Sequence, residues 1–206
     1  MPPENNEITL GILSAVSRDD RVTQRFLATE LGIALGLANA YLRRCVNTGL
    51  IKVQQIPANR YGYYLTPTGF AEKSRLAAEY FSQSLQLFRV ARQQLDEILR
   101  ICHDSGWSRV ALWGMSDLTE IALLCATDLP VTLVGVVDRA GGQSGFRGLS
   151  VATELSGLAP HDAVVITALA GAQEAFDEAA SLLPVDRVLA PPFLAVVGAP
   201  DRSMGE

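Results

Sequence analysis

Histidine, cysteine and long uncharged runs are all scarce in this chain of 206 residues. Only His103 and His161 are present, so a histidine-rich metal site is not expected. The three cysteines, Cys45, Cys102 and Cys125, are far apart and odd in number, which gives neither a disulfide framework nor a zinc knuckle. The longest stretch without a charge, Val188 to Pro200, has thirteen residues and three prolines. A membrane span takes ~20 apolar residues, so none is expected. The opening Met-Pro-Pro-Glu-Asn-Asn-Glu is acidic where a secretory signal would be basic and then apolar, so a cytoplasmic location is expected. Charged residues make up only 19% and apolar ones 49%, which excludes a disordered acidic tail or a coiled-coil rod.

What is present is divided. The net charge of −5 is the sum of +3 over residues 1–100 and −8 over residues 101–206. Residues 20–75 alone carry eight basic and three acidic side chains. A basic block followed by an acidic one suggests two modules with different partners, the basic one suited to phosphates. The acidic one is screened from it beyond about a Debye length, ~8–10 Å.

Residues 5–66 read as a winged helix-turn-helix. Ile8, Ile12, Leu13 and Val16 fall near helical spacing over residues 5–17. Thr23 can cap a second helix that buries Phe26, Leu27 and Leu31 and stops at Gly32. A third helix follows from Leu35 to Thr48, closed by Gly49, with Leu37 or Ala38, Tyr41, Leu42 and Cys45 inward. Leu50–Ile56 and Tyr61–Thr66 alternate as strands about the turn residues Pro57-Ala58-Asn59-Arg60. Such a unit can serve as a protein-interaction module. Three features favour double-stranded DNA instead. The third helix carries Asn39, Arg43 and Arg44, able to read adenine and guanine edges. Small residues, Gly36 and Ala40 beside Leu35, let it sit close to a duplex. Gln24 and Arg25 open the second helix near where a phosphate would lie, and Arg60 stands at the hairpin tip.

The runs Leu31-Gly32-Ile33-Ala34-Leu35-Gly36-Leu37-Ala38-Asn39, Thr48-Gly49-Leu50-Ile51-Lys52-Val53 and Tyr63-Tyr64-Leu65-Thr66-Pro67-Thr68-Gly69-Phe70-Ala71-Glu72-Lys73 resemble MarR-type winged-helix transcriptional regulators. They look closest to the branch associated with exopolysaccharide gene clusters. The resemblance covers about residues 5–100 and implies sequence-specific DNA binding as a dimer. Where that branch often carries lysine, this chain has Leu37, which removes one polar contact.

Residues 67–104 predict one long helix. Phe81, Phe88, Leu95 and Cys102 occupy one heptad position and Ala77, Ser84, Ala91 and Ile98 the other. About 35 residues make ~50 Å of helix, more than a small winged helix can cover, so a homodimer seam is expected. Cys102 would be buried and inert in it.

Residues 107–195 predict an acidic, Rossmann-like parallel sheet. Arg109–Gly114, Val131–Val137, Leu149–Ala152, Ala163–Leu169 and Arg187–Leu189 read as apolar strands, with helices at Leu118–Thr127 and Gln173–Leu183. The fold class is therefore a two-domain α/β protein. Ligands of such sheets bind beyond the strand C-termini, which selects Gly114, Met115, Ser116, Asp117, Asp138 and Thr167. A dinucleotide fingerprint would have glycine at 114, 116 and 119; only Gly114 fits, with Ser116 and Thr119 in place of the others. Asp138, 24 residues after Gly114, stands where an acid would hold ribose hydroxyls. A nucleotide, a sugar nucleotide or NAD are the small-molecule effectors to consider, and oligomerisation is the other use of the domain. The segment Asp162–Leu169 resembles nucleotide- or sugar-nucleotide-binding Rossmann-like domains, and the order of the two modules resembles the redox-sensing Rex repressors. No catalytic residue is expected: Gly114-Met115-Ser116 lacks the closing glycine of a nucleophile elbow, and a serine cap accounts for Ser116. The rival reading is an enzyme related to sugar-nucleotide or NAD-binding proteins, with the winged helix as an interaction module.

Overall fold

The computed structural model describes residues 5–56, 60–142 and 144–200. It divides into two compact units, Met1–Gln86 and Leu87–Glu206. No helix among the described residues is long and apolar enough to cross a membrane.

In the first unit, α1 (Asn5–Arg18), α2 (Gln24–Glu30) and α3 (Leu35–Asn47) precede a hairpin of β1 (Ile51–Ile56) and β2 (Arg60–Leu65). The apolar stripe of α1 buries Ile8, Ile12, Leu13, Ala15 and Val16 against Leu27 of α2 and Leu42 and Cys45 of α3. Thr23 caps α2 as its residue type predicts, its hydroxyl accepting from the Phe26 amide at 3.1 Å. Gly32 and Gly49, with φ of +62° and +74°, turn the chain out of α2 and α3 where a side chain would be strained. Of the two inward candidates, Ala38 is buried and Leu37 is exposed. The exposed position of Phe26 is a second departure from the expected core. At Leu37 and Ala38 helical spacing left the choice open and packing buried the alanine, whereas Phe26, expected inward with Leu27 and Leu31, is left outside the core that buries Leu27.

The hairpin pairs Ile51 with Leu65 through Ile56 with Arg60. It is tied to the helices by the Tyr63 amide, which donates to the Asp20 carbonyl at 2.9 Å. Pro57-Ala58-Asn59 and the side chain of Arg60 lie outside the described residues. Thr66 ends β2, donates to the carbonyls of Gly49 and Leu50, and accepts from the Gly69 amide. This opens α4 (Pro67–Asp104). Gly69 is required here, because a Cβ would lie 2.0 Å from the Leu50 carbonyl oxygen.

The heptad expectation for α4 needs correction. Ala91, Leu95, Ile98 and Cys102 are buried in the second unit's own core, on β3 (Arg109–Trp113) and α5 (Asp117–Ala126). Between residues 77 and 90, in contrast, nothing is buried, and Phe81 and Leu87 are 63% and 62% exposed. The stripe is continuous in sequence, but its C-terminal part is covered by the chain itself.

The second unit's other strands are β4 (Thr132–Val137), β5 (Gly145–Phe146), β6 (Leu149–Ala152), β7 (Ala163–Ile166) and β8 (Val188–Leu189). The sheet order is β5-β6-β4-β3-β7-β8, parallel except for the antiparallel β5 at the edge. Consecutive strand residues point to opposite faces. Val110, Leu112, Val136 and Val165 pack under α4 and α5. Ala111, Trp113, Val137, Val164 and Ile166 pack under α6 (Ala172–Leu182) and the 3-10 turn Leu155–Gly157. Both faces are covered, which is why these strands read as unbroken apolar runs.

One expectation is corrected here. β7 ends at Ile166 rather than Leu169, because Thr167 and Ala168 turn their amides onto the Trp113 carbonyl at 2.8 and 3.0 Å. The Gly-rich stretch after Asp138 holds β5, too short to show alternation, and Arg147 there pairs with Glu120 at 3.1 Å. Gln143 lies outside the described residues.

Candidate nucleic-acid interface and ligand cavity

The outer face of α3 carries Leu35, Gly36, Leu37, Ala40, Arg43, Arg44 and Asn47, all exposed. Gly36, Ala40, Arg43 and Asn47 recur at helical spacing and so form one line along it. A Cβ at Gly36 would meet nothing within 4 Å, so this part of the helix is open. Arg18 and Arg21 are engaged by Glu30 and Asp20. No ion pair engages Arg25, Arg43 or Arg44 among the described residues. Gln24 is half-buried and Arg25 exposed at the start of α2. Asn39 is half-buried, and its Oδ1 is enclosed without a hydrogen-bond partner among the described residues. It therefore sits at the border of the open face rather than on its crest.

Cys45, on the inner side of α3, has its thiol pushed up to about 11 by burial. The Cys125 thiol in the second unit is raised for the same reason. Buried thiols held protonated are poor nucleophiles.

A cavity of about 430 Å³ opens beyond the C-terminal ends of β3, β4 and β7. β3 is where the chain, having added strands on one side, crosses to β7 on the other, so the cavity lies at the topological switch point. Of the residues selected from sequence, Gly114, Met115, Ser116 and Asp138 line it. Thr167 and Asp117 do not: Thr167 is fully buried behind the first turn, and Asp117 is exposed in the first turn of α5.

The first turn is fastened from three sides. The hydroxyls of Thr119 and Thr167 both donate to the Gly114 carbonyl, at 2.8 and 2.6 Å. Ser116 Oγ accepts from the Leu118 amide at 3.1 Å and donates to the Thr167 carbonyl at 2.6 Å. Thr119 Oγ1 accepts from the Ser116 amide, which completes a capping box. The serine is thus a cap, as its position implies. His161 lies at the opposite end of β7 and holds the Ala159 carbonyl. Ser116→Ala should cost about 1–2 kcal/mol and lower the melting temperature by roughly 3–8 °C, which differential scanning calorimetry would measure.

Sequence reasoning missed Arg139, Glu174 and Glu178 in the cavity lining. Gly171, with φ of +69° before α6, was the available signal: it starts a helix whose i,i+4 acids share one face.

Residues 5–52 match the family model described as winged helix-turn-helix, DNA-binding. No curated protein matches the sequence. Among solved structures, the chain is similar to MepR, a transcription regulator of the Staphylococcus aureus multidrug efflux pump MepA. The identity is 24% over 40% of this chain and 62% of that one, with a TM-score of 0.34. The S. aureus MepR–DNA complex matches at 22% identity over 41% of this chain and 60% of that one, with a TM-score of 0.35. A Mycobacterium tuberculosis MarR-family protein, Rv2887, in complex with p-aminosalicylic acid matches at 20% identity over 48% and 77%, with a TM-score of 0.37. The chain spans about three fifths of the length of the MepR chains it matches.

Proposed function

We propose that this chain is a cytoplasmic, DNA-binding transcription regulator of the MarR type, acting as a homodimer, with a Rossmann-like second unit that binds a small-molecule effector. The observation that carries the DNA reading is the outer face of α3. It is exposed at Gly36 and Ala40, bears Arg43 and Arg44 without an ion pair among the described residues, and lies within a match to a DNA-binding winged helix. In this reading α3 enters the major groove, with Leu35, Gly36 and Arg43 toward base edges, Asn39 at their border, and Gln24 and Arg25 toward phosphates. A mobility shift with DNA upstream of the chain's own gene tests it. Specific binding that weakens steeply with salt is expected; no shift at low salt overturns it.

The dimer reading rests on residues 77–90 of α4. An isolated helix of that length is marginal in water, yet this one exposes Tyr80, Phe81, Leu87 and Phe88. A second copy of the same segment would cover them, and two recognition helices could then read half-sites about one duplex turn apart. Phe81→Glu combined with Phe88→Glu should convert a dimer to a monomer in light scattering and lower operator affinity by at least about tenfold. A variant that remains dimeric removes this seam.

The effector reading rests on the cavity at the switch point. Its size falls in the usual range for ligand sites, ~300–1,000 Å³. A ligand there would alter DNA binding only as far as its affinity differs between the DNA-competent and incompetent states.

A further inference from the structure

The cavity's own groups point to the kind of ligand it takes, granted the reading that it is an effector site. We propose that it binds a small organic cation, an amine or guanidine on an apolar body, and excludes phosphate-bearing nucleotides.

The exclusion comes from the two helix N-termini beside it. A pyrophosphate in a sheet of this order rests on backbone N–H groups at the start of the first helix. Here the Ser116 hydroxyl takes the Leu118 amide and the Thr119 hydroxyl takes the Ser116 amide. Asp117 and Glu120 occupy the first turn of α5, where they already satisfy the dipole. At α6 the first turn carries Glu174, whose Oε2 would lie 3.2 Å from a Cβ at Gly171. An incoming phosphate would find the Leu118 and Ser116 amides taken at α5 and meet the Glu174 carboxylate at α6.

The preference for a cation comes from the lining. It holds three carboxylates, Asp138, Glu174 and Glu178, and one cation, Arg139. Arg139 is already ion-paired with Glu178. Asp138 and Glu174 are left as the charges facing a ligand, since among the described residues the Asp138 carboxylate accepts from the Ala140 amide at 3.3 Å and no ion pair engages either acid. Met115 and Leu169 add apolar surface to the same lining, while Trp113, packed in the core under α6, contributes only an edge. An organic cation seated beside two carboxylates and apolar surface gains from both, whereas an anion finds no charge partner there.

The test uses the full chain, with phenethylamine and agmatine as cationic probes, adenosine as the uncharged one, and ADP and UDP-glucose as the phosphate-bearing ones. Calorimetric titration at low salt is expected to give saturable binding of an amine and none of ADP or UDP-glucose. The double variant D138N/E174Q replaces exposed or half-buried acids by isosteres and is expected to fold. It should weaken amine binding by about tenfold or more. If amines bind equally well to the variant, the cavity is not where they bind and the proposal falls. If ADP or UDP-glucose binds and Leu169→Arg abolishes it, the effector site stands and the cationic preference falls. If no probe binds at millimolar concentration, both fall.

Discussion

Arg43→Ala should lower specific DNA affinity by about 5- to 100-fold, the range expected for loss of one bidentate contact to a base edge. Arg43 is the one long polar side chain on the line Gly36, Ala40, Arg43, Asn47 along the outer face of α3 that can extend into a groove. The two small residues before it let the helix backbone approach, so a guanidinium there can reach a base edge. Nothing within the described residues holds Arg43 in an ion pair that DNA would first have to break. Arg44 is expected to behave differently. It is displaced around the helix by ~100° per residue, and its loss should weaken binding to all sequences alike and reduce the salt slope by about one. Fluorescence anisotropy with specific and scrambled duplexes over a salt series separates the two. Equal losses on both duplexes for both variants would mean that α3 lies across the backbone rather than in the groove.

This contrast marks how far the sequence could be read. The helix limits of the first unit were legible because Thr23, Gly32 and Gly49 have side chains, or lack them, for reasons local to one turn. The inward face of α3 was legible except at Leu37 and Ala38, where helical spacing permits either. Asn39 looked like a base-reading residue from its type. Only the packing shows one end of its amide enclosed. The long helix teaches the same lesson over a greater length. A heptad stripe says that a face wants covering and does not say by what. Ala91, Leu95, Ile98 and Cys102 are covered by the sheet unit that follows, while Phe81 and Phe88, on the same stripe, remain open. In the second unit the strands were legible as apolar runs because both sheet faces are covered. The cavity was only half legible. Gly114, Met115, Ser116 and Asp138 follow strand ends, where the topology rule looks. Glu174 and Glu178 share one face of α6 at i,i+4, a local pattern that does not say which strand ends that face packs against. Thr167, chosen as a ligand contact, has its hydroxyl directed to Gly114 instead, which makes it part of the frame.

That frame makes Gly114 a position where one methyl group has a large structural effect. Gly114→Ala should destabilise the second unit by about 3–5 kcal/mol. Two costs add. The residue has φ of +104°, and holding alanine there costs on the order of 1–3 kcal/mol. The new Cβ would stand 2.5 Å from the Cα, Cβ and N of Ala168. Those are backbone and near-backbone atoms, so relief requires the ends of β3 and β7 to separate. Separation stretches the bonds from Thr167 and Ala168 amides to the Trp113 carbonyl and from the Thr167 hydroxyl to the Gly114 carbonyl. Overpacking of this kind typically costs a further ~1–3 kcal/mol. A domain has only ~5–15 kcal/mol in total, so the variant should unfold at markedly lower urea. Both tryptophans, Trp107 and Trp113, belong to the second unit, so intrinsic fluorescence reports its unfolding selectively. The urea midpoint read by tryptophan fluorescence should fall with little change in slope. An unchanged midpoint would mean that the turn at Gly114 accommodates a side chain, and that the close approach of β3 and β7 does not shape the cavity.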